Sequence, residues 1–215
     1  MSGAASGKVR VFLAGEGSNE LGGYFGHRTW HRDDRPGVLQ ALLTRVQATG
    51  WEVGGARDWK SIRKFQARKA GHADTRNVLG VALDAKDVGC EVLAFSRDQD
   101  REPERRDAVE EGVRLVPEQI RDAPEVIGGV AVPKLEGWIL ALRGARGTEQ
   151  LSPRRAEEDL ERLGVAVKDG EAMVQVVEEA DLEAIPQDAA SLTTWFDRAR
   201  AVLPRRVAAC DARGQ

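Results

Sequence analysis

The sequence predicts an α/β protein: a mainly parallel open sheet flanked by helices, with a helical C-terminal extension. Three observations lead there. Short apolar runs alternate with amphipathic, helix-spaced ones from Val9 to about Gly144, the pattern of βαβ units. The run "CEVLAFS" is apolar almost throughout, as in a strand covered on both faces. After Gly144 only helical segments remain.

The elements follow in order. "KVRVFLAGEG" reads as a first strand, Val9 to Ala14, broken by Gly15 and Gly17. The polar, glycine-rich "SNELGGYFGHRTWHRDD" reads as a loop with at most a short helix. In "RPGVLQALLTRVQATG", Val38, Leu39, Leu42, Leu43 and Val46 share one helical face, with Pro36 near the start and Gly50 just past the end. "WEV" is a short strand. "WKSIRKFQARK" is expected as a helix with Trp59, Ile62 and Phe65 inward and Lys60, Arg63, Lys64 and Arg68 toward solvent.

"TRNVLGVALDAKDVG" is expected as a helix capped by Asn77 and ended by Gly89. The central strand "CEVLAFS" comes next, and Pro103 opens the helix "PERRDAVEEGVRLV". "VIGGVAV" is a third clear strand that turns directly into the helix "KLEGWILALRG". Helices "PRRAEEDLERLG" and "SLTTWFDRARAVL" follow, with Trp138, Trp195 and Phe196 at core positions. Residues 8–143 are thus assigned to the α/β domain, 144–205 to a helical extension packed on it, and 206–215 to a disordered tail.

A chain of 215 residues that is 41% hydrophobic suits one domain with an appendage. No apolar run approaches the roughly 18 residues of a membrane span. "MSGAASGKVR" lacks the apolar core of a secretory signal. Cys90 and Cys210 are too few for a disulfide framework. A cytoplasmic protein with no membrane partner is expected. The net charge of -3 hides an asymmetry: residues 1–97 carry 15 Lys/Arg against 10 Asp/Glu, and residues 98–215 carry 17 against 25. The densest basic stretch, residues 57–76, holds Arg57, Lys60, Arg63, Lys64, Arg68, Lys69 and Arg76 against Asp58 and Asp74. Such a patch can hold phosphates although the whole protein is acidic, while many charge runs are only a solvated face.

Open parallel sheets bind ligands beyond the carboxyl ends of their strands. Three such ends carry acids here: Glu16 after the first strand, Asp98 and Asp100 after the central one, and Glu136 after the third. In extended chain, Asp98 and Asp100 would point to the same side. Bringing them near Glu16 is costly unless a positive charge sits between them. Mg²⁺, a hard cation that takes oxygen ligands, suits that place. A plainer reading makes the Asp pair a cap for the helix after Pro103. In that reading Arg97 and Arg101, which flank the pair, neutralise it without a metal.

These residues resemble the TOPRIM (topoisomerase–primase) fold, which places a Glu after its first strand and an Asp-x-Asp after a later one. The closer likeness is to small stand-alone bacterial TOPRIM-like proteins, akin to the nuclease parts of overcoming-lysogenization-defect enzymes and other phage-defence systems. The motifs here are Glu16–Gly17–Ser18–Asn19–Glu20, then Asp98 and Asp100, then Pro133–Lys134–Leu135–Glu136–Gly137–Trp138. The likeness spans residues 8–143 and, more loosely, Lys168 and "LTTWFDRARAVLP". Gly22, Gly23 and Gly26 depart from it, standing where a regular helix would follow the first motif.

The resemblance implies phosphodiester chemistry dependent on Mg²⁺ or Mn²⁺. Asp98 and Asp100 would be the principal metal ligands, and Glu16 a ligand or general acid/base. Glu20 and Glu136 would act as further catalytic carboxylates. Lys60, Arg63, Lys64, Arg68 and Lys69 would bind the nucleic acid. Any ATPase of such a system would be a separate chain, because "GAASGKV" has the wrong glycine spacing for a phosphate loop and no Ser or Thr after Lys8. Self-association is left open. The alternative is a non-catalytic subunit that keeps the fold and binds a partner. His27 and His31, four apart, lack the further ligands that a zinc site needs.

Overall fold

A computed structural model describes residues 7–25, 35–62 and 71–213. Its four strands are β1 (Val9–Gly15), β2 (Trp51–Asp58), β3 (Val92–Asp98) and β4 (Glu125–Ala131). All pair in parallel, in the order β2-β1-β3-β4. The helices are α1 (Ser18–Leu21), α2 (Val38–Val46), α3 (Ala73–Asp87), α4 (Arg105–Gln119), α5 (Leu135–Leu142), α6 (Pro153–Arg162), α7 (Gly170–Glu179) and α8 (Ala190–Arg213). The predicted α/β class with a helical extension is the observed one.

Strand periodicity divides the core into two layers. Val9, Val11 and Leu13 of β1 and Val92 and Ala94 of β3 pack with α2, α5, α7 and α8. Phe12, Ala14, Leu93 and Phe95 face the other way, onto α3 and α4. The near-continuous apolar run of β3 is explained by this covering on both faces. From β1 the chain passes to β2 at one edge, then crosses back to β3 on the other side of β1. The helices that follow β1 and β3 therefore lie on opposite faces, which leaves a crevice beyond the carboxyl ends of these two strands.

The helical extension packs on the α2/α5 face. Trp195 of α8 donates from Nε1 to the Phe95 carbonyl at 3.0 Å, and Trp138 of α5 donates from Nε1 to Ser191 Oγ at 2.8 Å. Trp138, Trp195 and Phe196 are core residues, as expected. Arg206 reaches Glu125 at 2.5 Å and Arg205 pairs with the same carboxylate. These contacts continue α8 to Arg213, through the residues expected to be a disordered tail.

Three other expectations are corrected. β2 runs to Asp58, well beyond "WEV", with a register shift opposite Val11 and Phe12. Of the segment expected as a helix from Trp59 to Lys69, the described part is a 3-10 turn over Trp59–Ser61 with Ile62 extended, and the remainder lies outside the described residues. Asp58 accepts from the Lys60 backbone N–H at 3.0 Å and closes that turn, while Trp59 and Ile62 still bury their side chains. Helix α3 starts at Ala73, capped by His72 Nδ1 accepting from the Asp74 N–H at 3.2 Å, so Asn77 lies inside the helix. His72 precedes a full helical turn that the apolar periodicity alone does not mark. Among the described residues, no helix is long and apolar enough to cross a membrane.

Candidate functional site

Glu20 shows how local sequence builds the site. α1 is a single turn that follows β1 after two residues, and it is succeeded by a 3-10 turn over Gly22–Tyr24. A Cβ at Gly15 would stand 2.6 Å from the Glu20 Cβ, and one at Gly37 would stand 2.2 Å from the Glu20 carbonyl oxygen. Only glycine permits these approaches, so the turn is wedged between β1 and the start of α2. Glu20 is left 5% exposed. Burial pushes its carboxyl up to about 7, against the pull of its own backbone N–H, and repulsion from Glu16 and Glu136 adds to the rise.

Asp98 ends β3 on the same layer. Its Oδ1 accepts from the Leu135 N–H at 2.9 Å, so it caps α5. The sequence had offered the Asp pair as a cap for the next helix, but the N-terminus of α4 has no side-chain cap. Burial raises the Asp98 carboxyl well above its ordinary value. Repulsion from Glu20, Glu16 and Glu136 raises it further, and the Leu135 N–H lowers it. Glu136, in the first turn of α5, is 4% exposed and is likewise raised, chiefly by burial. Its Oε2 is buried without a hydrogen-bond partner. Lys134 Nζ stands 3.5 Å from that oxygen and 2.6 Å from Glu157 Oε1, dividing one positive charge between two acids.

Glu16 stands just beyond β1. Its Oε1 accepts from the Asp98 N–H at 2.9 Å and pairs with the Arg97 guanidinium. Glu16, Glu20, Asp98 and Glu136, drawn from distant parts of the chain, thus share one electrostatic neighbourhood at the β1/β3 crevice.

Asp100 does not join them. The strand has ended at Asp98, and Asp100 takes a left-handed φ of 54°, so the two side chains do not project to one side. Asp100 pairs with Arg105 at 3.1 Å and is 45% exposed. No group of three or more Asp, Glu, His or Cys side chains stands in metal-holding arrangement among the described residues.

A second polar cluster lies on the opposite layer. Asp74, 4% exposed in the first turn of α3, accepts from Trp59 Nε1 at 3.2 Å, Arg97 Nε at 3.2 Å and Arg105 Nε at 3.1 Å. Arg105 also donates to the Asp98 carbonyl at 2.6 Å and pairs with Glu102 at 2.8 Å, so it fastens the β3–α4 loop. The neutralising arginines are therefore Arg97 and Arg105; the sequence pointed to Arg97 and Arg101.

Lys60 is exposed two residues beyond Asp58, the residue aligned with Gly15 at the end of β1. The basic stretch thus leaves the sheet at the edge that carries the acids. Arg63, Lys64, Arg68 and Lys69 lie outside the described residues, as do His27 and His31. Ser18 and Asn19 of α1 border an open cleft of about 380 Å³ that Lys168 and Gly170 also line. Asn19 Nδ2 donates across to the Val167 carbonyl at 2.8 Å.

Sequence reasoning missed Asp74, Arg105 and Lys134. Asp74 was hidden as one of two acids within a basic stretch, and Arg105 as one of many helix-surface charges. Lys134 had a signal: it stands two residues before Glu136 in a segment already singled out. No protein-family model, curated protein or solved structure matches this chain.

Proposed function

We propose that the chain is a Mg²⁺- or Mn²⁺-dependent nuclease, or a related phosphodiester enzyme, whose centre is the cluster of Glu16, Glu20, Asp98 and Glu136. One observation carries this reading: four carboxylates converge at the β1/β3 crevice with less positive charge than they need. Two of them are driven toward the protonated form by burial and mutual repulsion, and the buried Oε2 of Glu136 has only a long 3.5 Å contact to Lys134, whose ammonium is shared with Glu157. Such an arrangement is unfavourable unless protons or a cation occupy it. Its donors are all carboxylate oxygens, which fits a hard divalent ion.

Asp98 and Glu16 would hold the ion through one carboxylate each, with waters completing its shell, since no three acids stand in a metal-holding arrangement among the described residues, and Glu136 would lie nearby. Bound there, it would polarise a phosphoryl oxygen and lower the pKa of a bound water. The chain's own residues supply the rest. Glu20, titrating near neutrality, is suited to take or return a proton. Lys60 and the basic residues after it would hold a nucleic-acid backbone beside the acids. Asp100 is left as an anchor of the β3–α4 loop through Arg105. A cytoplasmic setting agrees with two free cysteines, one of them buried. A role in phage defence beside a separate ATPase chain rests on the sequence resemblance alone.

A second reading has its own support: Arg97 on Glu16 and Arg105 on Asp100 already neutralise part of the edge. The chain would then be a non-catalytic subunit of a larger complex. Incubation of DNA and RNA with wild type, Asp98→Asn and Glu20→Gln proteins in Mg²⁺ or Mn²⁺ separates the two. The nuclease reading expects metal-dependent cleavage by wild type and at least about 100-fold slower cleavage by each variant. Equal and metal-indifferent behaviour of all three would leave only the second reading.

A further inference from the structure

Arg97 is held from one side and offered to the other. Its side chain is 14% exposed, and its guanidinium lies 5.6 Å from the centre of the Trp59 ring. Nε donates to Asp74 Oδ1 at 3.2 Å. Asp74 is itself fixed by Trp59 Nε1 and by the buried Arg105. These contacts all lie on the α3/α4 layer. From that anchorage a terminal nitrogen of Arg97 crosses to Glu16 Oε1, the oxygen that also accepts from the Asp98 N–H. Glu16 in turn repels Glu20 and Asp98. Among the described residues, Glu16 is the one of the four clustered acids that pairs with a guanidinium.

We propose that Arg97 is a resident counter-ion of Glu16 that competes with a divalent cation for this carboxylate and so sets the cation affinity of the whole cluster. The inference rests on the cation-binding reading given above. A guanidinium–carboxylate pair at this exposure is a charge-assisted contact that solvent only partly weakens. A cation drawing on Glu16 must first displace that contact. Asp74 and Trp59 keep the arginine in place when Glu16 leaves it, so the competitor stays at hand. The cluster accordingly binds its cation reversibly and more weakly than four carboxylates would on their own.

A mutant cycle tests this. Mn²⁺ is titrated calorimetrically into wild type, Arg97→Met, Glu16→Gln and the double variant at one pH above neutrality, after thermal melts have shown each to be folded. Methionine keeps an apolar stem against Trp59. Arg97→Gln, which retains an amide donor for Asp74, serves as the second variant where the methionine protein does not fold. Removing the arginine is expected to tighten Mn²⁺ binding by about tenfold, the worth of one partly buried ion pair. In the Glu16→Gln background the same change is expected to alter affinity by less than about twofold, since the contested carboxylate is gone.

Binding by wild type that Arg97 variants leave unchanged or weaken would overturn the competition and spare the cation site. So would an equal gain in the Glu16→Gln background, which would mean that Arg97 acts through its general field. Binding seen only once Arg97 is removed would support the competition in its strongest form. Absence of Mn²⁺ heat in wild type and in both Arg97 variants would remove the cation site and this inference with it.

Discussion

Asp74 and Asp98 lie on opposite faces of the sheet at the carboxyl end of β3, and the chain treats them differently. Asp74 meets two guanidinium groups and an indole N–H, all within 3.2 Å. Asp98 meets one backbone N–H and three acids that repel it. The first cluster is complete within the chain, each donor having found an acceptor. The second holds an excess of negative charge with a shared lysine and one borrowed arginine. Burying a charge is tolerable when it is paired and hydrogen-bonded, and costly otherwise. Completeness marks the Asp74 cluster as structural. Deficiency in the acidic cluster is what the proposed cation would relieve.

The largest effect of a single substitution is expected at Asp74. Asp74→Ala would leave Arg105 buried without its principal carboxylate and Arg97 without its carboxylate anchor on the α3/α4 layer. A loss of about 3–5 kcal/mol of stability is expected, the usual penalty for half of a buried ion pair. Urea denaturation at pH 7 measures it. A loss below about 1 kcal/mol would mean that the Asp74 cluster is not the staple described.

Glu20 should behave in the opposite way. Its carboxyl titrates at about 7 in the folded protein against an ordinary 4.5. Between those values the folded state keeps a proton that the unfolded state releases, so stability is full below about pH 4.5 and declines as pH rises through 7. The decline attributable to Glu20 is about 3 kcal/mol, and Asp98, also raised, acts in the same direction. Glu20→Gln is expected to be more stable than wild type at pH 8 and to flatten the profile. Thermal melts from pH 5 to 8 check the sign; a wild type that gains stability over this range would contradict the burial and repulsion assigned to Glu20.

The smallest effect is expected at Lys60, which is exposed beside the acidic edge. Lys60→Gln should weaken nucleic-acid binding by less than about tenfold and reduce the salt slope by about one, as for a single phosphate contact. Fluorescence anisotropy across a salt series reads both. An unchanged slope would place the nucleic acid away from the end of β2.

How much of this was legible beforehand differs by element. β3 declared itself because a strand covered on both faces must be apolar throughout. α2 and α5 were equally plain from helical spacing. The start of α3 was not, since its first turn carries Asp74 and Thr75, polar residues buried for reasons that lie elsewhere in the chain. Glu16, Asp98 and Glu136 could be named because parallel topology brings strand ends together, and Glu20 through the family resemblance alone. Asp100 was wrongly grouped with them because the end of a strand, and hence the end of its two-residue period, is set by backbone geometry that composition does not reveal.

Amphipathic alternation thus determined the class of fold, the layers of the core and the edge at which charged residues gather, because apolar periodicity is a local property of the chain. Which acid faces which cation was decided only in three dimensions. Arg97 serves Asp74 and Glu16, Arg105 serves Asp74 and Asp100, and Lys134 divides itself between Glu136 and Glu157. Ion pairing depends on distances of a few ångströms between segments far apart in sequence, and on how much water remains around them. The packing of helices against the sheet settles both quantities.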